Sequence, residues 1–196
     1  MTEVGQGRGA LIVVVGPSGA GKDSVMGFAA HHFAHRPDIL FVRRVITRPS
    51  DAGSEVHESV STPEFEDMRR NGAFAVSWQA HGLSYGVPIE IADRVSSGMT
   101  AIVNGSRAAL PAIRAAFGTI AVALVTADPA VLAKRLAERG RESEEDVLRR
   151  LTRQTPDIVA GGPDVTVIDN SGRLDVAGQR FVALVERHCA ALHHLA

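Results

Sequence analysis

A chain of 196 residues, 45% hydrophobic and 22% charged, has the apolar content of one folded domain and is too hydrophobic to be a disordered tail. A formal net charge of −1 excludes the broad basic footprint of a nucleic-acid-binding surface. The one cysteine, Cys189, excludes an internal disulfide, fits a reducing cytoplasm, and reads as a small apolar residue of the last helix.

Residues 1–10 are polar and only five apolar residues precede Gly16, too few for a signal core or a membrane span, so no membrane partner is expected. The run Leu11-Ile12-Val13-Val14-Val15 lacks alternation and predicts a buried parallel strand over 10–15. Gly16-Pro17-Ser18-Gly19-Ala20-Gly21-Lys22 then fits G-x-x-x-x-G-K between a strand and a helix, the pattern of a phosphate-binding loop. Phosphates carry dense negative charge. Glycines let the backbone curl so that several N–H groups converge on them, and the following helix adds its positive end. Lys22 supplies a mobile cation for the outer phosphates. The full motif continues with Ser or Thr, whose hydroxyl binds Mg²⁺; here Asp23 stands there, with Ser24 next. A carboxylate is a good ligand for a hard cation, so Asp23 is expected to take part in holding Mg²⁺, and the ion to offset its repulsion of the ATP phosphates.

The first helix is predicted to run to about His35, ahead of Pro37, and a second strand to cover 39–46. Thr47 to Glu55 reads as a loop. Thr62 is the expected N-cap of a helix with Pro63 in its first turn, ending at Gly72. A short strand follows at 73–78, with turns at His81-Gly82 and Tyr85-Gly86 around an extended piece. Next come a helix over 88–97 stopped by Gly98, a strand at 100–103, a helix from Arg107 to Phe117 and a strand at 119–126. Asp128-Pro129 opens a helix with Val131, Leu132 and Leu136 at core spacing, and a charged turn at 140–143 leads to a helix over 144–154. The last strand is expected at 165–168 and the last helix at 174–194, with Phe181, Leu184, Val185, Cys189 and Leu192 on one face. Alternating strands and helices mean an α/β fold with a parallel sheet and its ligand at the carboxyl ends of the strands.

Two arginine sets could neutralise phosphate charge: Arg43, Arg44 and Arg48 near the second strand, and Arg135, Arg139, Arg141, Arg149, Arg150 and Arg153 around the charged turn. The second set could equally be a solvated helical face with pairs such as Glu145 and Arg149; flanking a glycine-containing turn, it is read as a closing lid. Trp78 reads as core, His57 and Tyr85 as either core or surface, and His193 and His194 as a solvated tail. There is no zinc-ligand spacing, no Gly-x-Ser-x-Gly elbow and no internal repeat. Asn104-Gly105-Ser106 matches a glycosylation sequon that a cytoplasmic protein would not use.

The phosphate loop, Thr47-Arg48, Tyr85-Gly86, and Arg135-Leu136 with Arg139-Gly140 resemble the guanylate kinase fold in order and spacing, over about residues 10 to 188. Within that superfamily the chain is most similar to the ribose 1,5-bisphosphate phosphokinases, through Gly21-Lys22-Asp23-Ser24, Ile46-Thr47-Arg48, Gly53-Ser54-Glu55, Ser77-Trp78, His81-Gly82-Leu83, Tyr85-Gly86-Val87 and Val103-Asn104-Gly105-Ser106-Arg107. The resemblance implies one P-loop domain with its core at about 10–36, 88–138 and 156–196, a small acceptor-binding subdomain at about 38–87 and a lid at about 139–155. It implies ATP-dependent conversion of ribose 1,5-bisphosphate to 5-phospho-α-D-ribose 1-diphosphate in phosphonate catabolism. Gly16 to Ser24 would hold ATP and Mg²⁺, Asn170 would lie near the adenine, and Lys22, Arg135, Arg139 and Arg150 would serve the transfer. Arg44, Arg48, His57, Ser77, Tyr85 and Asn104 would bind the sugar phosphate.

Ser77 and Asn104 stand where guanylate kinases carry acids, and loss of those acceptors leaves guanine unpaired. Arg44 stands near a small base-contacting residue, which suits a second phosphate. The alternatives are a nucleoside monophosphate kinase and a non-catalytic interaction module, the latter opposed by the presence of Lys22 and the arginines.

Overall fold

The computed structural model describes residues 9–49, 55–138 and 162–193. The predicted lid at 139–155, with Arg139, Arg141, Arg149, Arg150 and Arg153, lies outside the described residues, as do Gly53, Ser54 and His194.

Strand β1 (Ala10–Val15) is the middle of a five-stranded sheet. On one side lie β7 (Thr100–Asn104) and then β2 (Ile39–Phe41); on the other lie β8 (Ile120–Thr126) and then β9 (Val165–Asp169). Every pair is parallel, with Val14 opposite Asn104 and Val15 opposite Leu124. The unbroken apolar run of β1 is explained by cores on both faces. Ile12 and Val14 pack with Val25 and Ala29 of helix α1 (Lys22–His32) and with Phe181 and Val185 of the last helix, here α6 (Leu174–His193). Leu11, Val13 and Val15 pack with Ile91 of α3 (Glu90–Ser96) and with Leu110 and Ile113 of α4 (Leu110–Phe117). Each such buried Val, Leu, Ile or Phe contributes roughly 1.5–3 kcal/mol. Cys189 is buried on α6, its Sγ 3.4 Å from Thr100 Oγ1. No helix among the described residues is long and apolar enough to cross a membrane.

The expected strand over 39–46 is two strands. β2 belongs to the parallel sheet, whereas β3 (Val45–Ile46) joins a second sheet of order β4-β3-β6-β5, formed with β4 (Glu58–Ser59), β5 (Phe74–Ala80) and β6 (Leu83–Pro88). Arg43 and Arg44 interrupt the apolar run, and the chain changes sheets there. Inside the parallel sheet the two guanidinium groups would lack partners, whereas at the crossing Arg43 donates to His57 O and Arg44 to Glu55.

Helix α2 (Thr62–Arg70) begins at Thr62 itself, so its cap lies one residue earlier than expected. Ser61 is the N-cap, in a capping box where Glu64 N donates to Ser61 Oγ at 3.4 Å and Ser61 N to Glu64 Oε2 at 2.7 Å. His81 and Gly82 form the expected turn, both with positive φ (52° and 75°), the conformation a two-residue hairpin requires. Tyr85-Gly86, in contrast, is not a turn but the middle of β6. Gly86 is small because a Cβ there would lie 2.5 Å from the Phe74 ring. The helix from Arg107 begins as a 3₁₀ turn at Arg107–Ala109, and Pro111 sits in the first turn of the α-helix proper. Asp128 occupies the N-cap position of α5 (Pro129–Ala137), though its side chain makes no cap bond.

Candidate active site

The phosphate loop leaves β1 at Val15 and enters α1 at Lys22. Gly16 (φ 150°) passes so close to the Val125 carbonyl that a side chain would collide with it. Gly21 (φ 84°) is the N-cap of α1, and a Cβ there would strike Asn170 Nδ2. Lys22 Nζ folds back onto the loop, donating to Gly16 O at 2.9 Å and Pro17 O at 3.2 Å. Burial pushes its pKa below that of an ordinary lysine; Asp23 opposes the shift, and the positive Arg44 and Arg107 add to it. Ser18 and Ser24 are exposed on the rim, and Gly19 and Ala20 are buried.

Two side chains hold the loop from below. Asn170 Nδ2 donates to Ala20 O at 2.7 Å. Arg135, from α5, donates to Gly19 O at 3.4 Å and to Asn170 O at 3.0 Å. Arg135 therefore reaches the loop. Asn170 is 3% exposed and acts on the loop's underside, while its Oδ1 has no hydrogen-bond partner among the described residues.

The second sheet brings a charged cluster to the same end of β7. Arg44 is 5% exposed and forms a bidentate pair with Glu55, Nε to Oε1 at 2.8 Å and Nη2 to Oε2 at 2.5 Å. Its guanidinium lies over Tyr85 (4.9 Å to the ring centroid) and Trp78 (5.6 Å), and those two rings stack at 5.6 Å. Asn104 Nδ2 donates to Asp23 Oδ1 at 3.0 Å and to Glu55 Oε2 at 3.4 Å. Arg48 Nη2 lies 4.0 Å from Glu55 Oε2 and 3.4 Å from His57 Nδ1. His57 is buried, with Nε2 3.0 Å from Arg48 O and Nδ1 2.9 Å from Glu55 O. The buried Nε of Arg48 has no hydrogen-bond partner among the described residues.

Of the expected acceptor residues, the structure thus gathers Arg44, Arg48, His57, Tyr85 and Asn104. Ser77 lies apart from them. It pairs with Gly86, one step out of phase with Trp78 and Tyr85, so it points to the opposite face of the sheet. There it lines a cleft of about 300 Å³ with Phe65, Glu66 and Arg69 of α2. Two residues of the cluster escaped the reading of individual side chains. Glu55 sits in a polar loop, and only the neighbouring arginines hint that a carboxylate is needed there. Arg107 opens a short 3₁₀ turn, and no local pattern signals that its charge reaches Lys22.

No family model matches the chain. Among curated proteins, ribose 1,5-bisphosphate phosphokinase PhnN of Rhizobium etli is 50% identical over 189 residues, covering 96% of this chain and 95% of that protein. The chain belongs to the ribose 1,5-bisphosphate phosphokinase family. A second phosphokinase of this family, from Agrobacterium fabrum, is 50% identical over 90% of this chain and 96% of its own length. Among solved structures, a guanylate kinase from Anaplasma phagocytophilum superposes with a TM-score of 0.68 at 17% identity, over 91% of this chain and 85% of that one. That likeness establishes the fold, α/β of the P-loop kinase type. The chain is a phosphotransferase of the phosphokinase family, and the guanylate kinase likeness extends to its architecture only.

The cluster fits the groups that phosphoryl transfer needs. The loop is a cradle with no room for side chains at Gly16 and Gly21, as close approach of a phosphate chain requires. Asp23 is one carboxylate at the start of α1, and Mg²⁺ is commonly held by one or two carboxylates together with substrate phosphates. An acceptor phosphate would find the unpartnered donor of Arg48.

Proposed function

We propose that this protein transfers the γ-phosphoryl group of ATP to ribose 1,5-bisphosphate, giving ADP and 5-phospho-α-D-ribose 1-diphosphate. What carries this reading for this chain's own residues is the buried Arg44, paired with Glu55, which shares the Asn104 amide with Asp23 in the first turn after the phosphate loop. An oxygen of the sugar's 1-phosphate forms a bond to Pγ as the bond from Pγ to the β-phosphate oxygen breaks. That attacking oxygen is already anionic, so no strong general base is required.

Lys22 gives up its two loop carbonyls for β- and γ-phosphate oxygens, a motion that its folded-back position permits. Asp23 helps to hold Mg²⁺, which when bound screens the β- and γ-phosphates and stabilises charge on the leaving oxygen. Arg135 supports the loop and supplies charge next to it. Arg139 and Arg150 are assigned to the same task. Arg44 and Arg48 hold the acceptor phosphates, Tyr85 and His57 fix those arginines in place, and Asn170 keeps the loop seated. The region of the second sheet serves as the acceptor-binding subdomain. The protein works in the cytoplasm on a small sugar phosphate, in phosphonate catabolism, without a nucleic-acid or membrane partner.

The test is ADP release with ATP and Mg²⁺, comparing ribose 1,5-bisphosphate with GMP at equal concentration, and ³¹P NMR of the product. Turnover of the sugar alone, with new diphosphate resonances, is the expected result. Turnover of GMP alone overturns the reading.

A further inference from the structure

We propose that Glu55 and Asn104 form a joint that makes acceptor binding and nucleotide binding interdependent, with Glu55 as the positioning residue for Arg44. The inference rests on the function proposed above and deepens it.

The observation is a continuous chain of polar contacts between the two half-sites. Asp23, in the first turn of α1, accepts from Asn104 Nδ2 at 3.0 Å; the same nitrogen donates to Glu55 at 3.4 Å; Glu55 holds Arg44 through two bonds. A primary amide nitrogen has two protons, one for each carboxylate. Only a donor can sit between two carboxylates, so an aspartate at this position would bring three negative groups together. Asn104 ends β7, is 7% exposed, and pairs with Val14 in the middle of the parallel sheet, so the joint stands on a rigid element.

Arg44 cannot be held by its rings alone. It is buried, and a buried guanidinium needs its hydrogen bonds satisfied; Glu55 satisfies the Nε and Nη2 edge. The neighbourhood carries Lys22, Arg44, Arg48 and Arg107 against Asp23 and Glu55, a cation excess that suits a polyanionic acceptor. When Asp23 turns to a cation, its bond with Asn104 changes, and so does the pull of Asn104 on Glu55. The effect is reciprocal by thermodynamic necessity.

The experiment measures the Kd of ribose 1,5-bisphosphate by isothermal titration calorimetry in Mg²⁺, with and without a saturating non-hydrolysable ATP analogue. The emission of Trp78, the only tryptophan of the chain and a neighbour of Arg44, gives a second record. In the native protein the two Kd values should differ at least about fivefold. Asn104→Ala should bring the ratio to within about twofold of one while each ligand still binds by itself. Glu55→Gln, which alters the loop ahead of β4 and so carries a separate folding risk, should also lower the ratio. It should in addition weaken acceptor binding about tenfold, leaving the analogue's Kd within about twofold. A native ratio of one, or a native ratio retained in either variant, overturns the proposal. Failure of the native protein to bind ribose 1,5-bisphosphate at all faults the functional reading instead, and the same ratio is then measured with whichever phosphate acceptor does bind.

Discussion

At the mouth of the phosphate loop most of the grip is main chain: three glycines with positive φ, carbonyls that hold Lys22, and an asparagine clamping the loop from below. At the mouth of the second sheet it is almost all side chain: an arginine, a glutamate, an asparagine and two stacked rings, drawn from strands and loops far apart in sequence. A backbone cradle depends on local conformation and tolerates little change at its glycines. A charged cluster depends on distant partners and can be retuned by one substitution. The difference teaches where a single substitution could change the chemistry of such a site: in the charged cluster and not in the backbone cradle.

The widest separation between the two regions is expected from Lys22→Met. It should lower kcat by at least about 10³-fold, in the range seen when a preorganised charge is removed from phosphoryl transfer, as measured by ADP release. Yet it should raise the thermal midpoint, because burial disfavours the charged lysine in the folded state. The sign is definite. Between the lowered folded pKa and the ordinary value of 10.5 the unfolded chain binds the extra proton, so stability from this site rises with pH across that window. Unfolding midpoints across the alkaline range should show the rise in the native protein and less of it in Lys22→Met.

Arg44→Ala should be next in size and of the opposite character. It strips Glu55 of its bidentate partner and should cost about 3 kcal/mol in stability. It should reduce kcat/KM for the acceptor about 10²-fold while leaving the Kd of an ATP analogue, measured without acceptor, within twofold. Equal damage to both ligands would break the comparison. Gly86→Ala, under the Phe74 ring, should cost about 1–3 kcal/mol through overpacking and should slacken the β5–β6 hairpin. Ser61→Ala removes the α2 cap and should cost about 1 kcal/mol, with both KM values unchanged, because α2 supports the sheet from the face opposite Arg44. Chemical denaturation reads both costs.

How far each region could be read from sequence follows from the same difference. The loop from Gly16 to Lys22 is contiguous, so spacing alone exposed it, and the apolar run of β1 announced a strand buried on both faces. The crossing at Arg43-Arg44 is hidden in the sequence, since β-propensity on either side outweighs a local charge and the second sheet is built from residues far along the chain. Tyr85-Gly86 suggested a turn because a glycine demanded by packing looks the same in sequence as one demanded by φ. Thr62 and Ser61 are both capping residues, and only the reach of Glu64 selects between them. Glu55 and Arg107 were visible only inside family marks, because their roles are set by groups brought near in space and not in sequence. Ser77 shows the reverse case: its register puts it on the α2 side, a matter of strand phase that the family comparison did not predict.

Cys189 is the chain's single thiol, buried where α6 meets β7 through Thr100. A thiol reagent can reach it only when that seam opens, so its labelling rate is a clock for the parting of the last helix from the central sheet. If bound ligands at the distant carboxyl edge slow that clock, their binding energy is felt through the whole thickness of the domain.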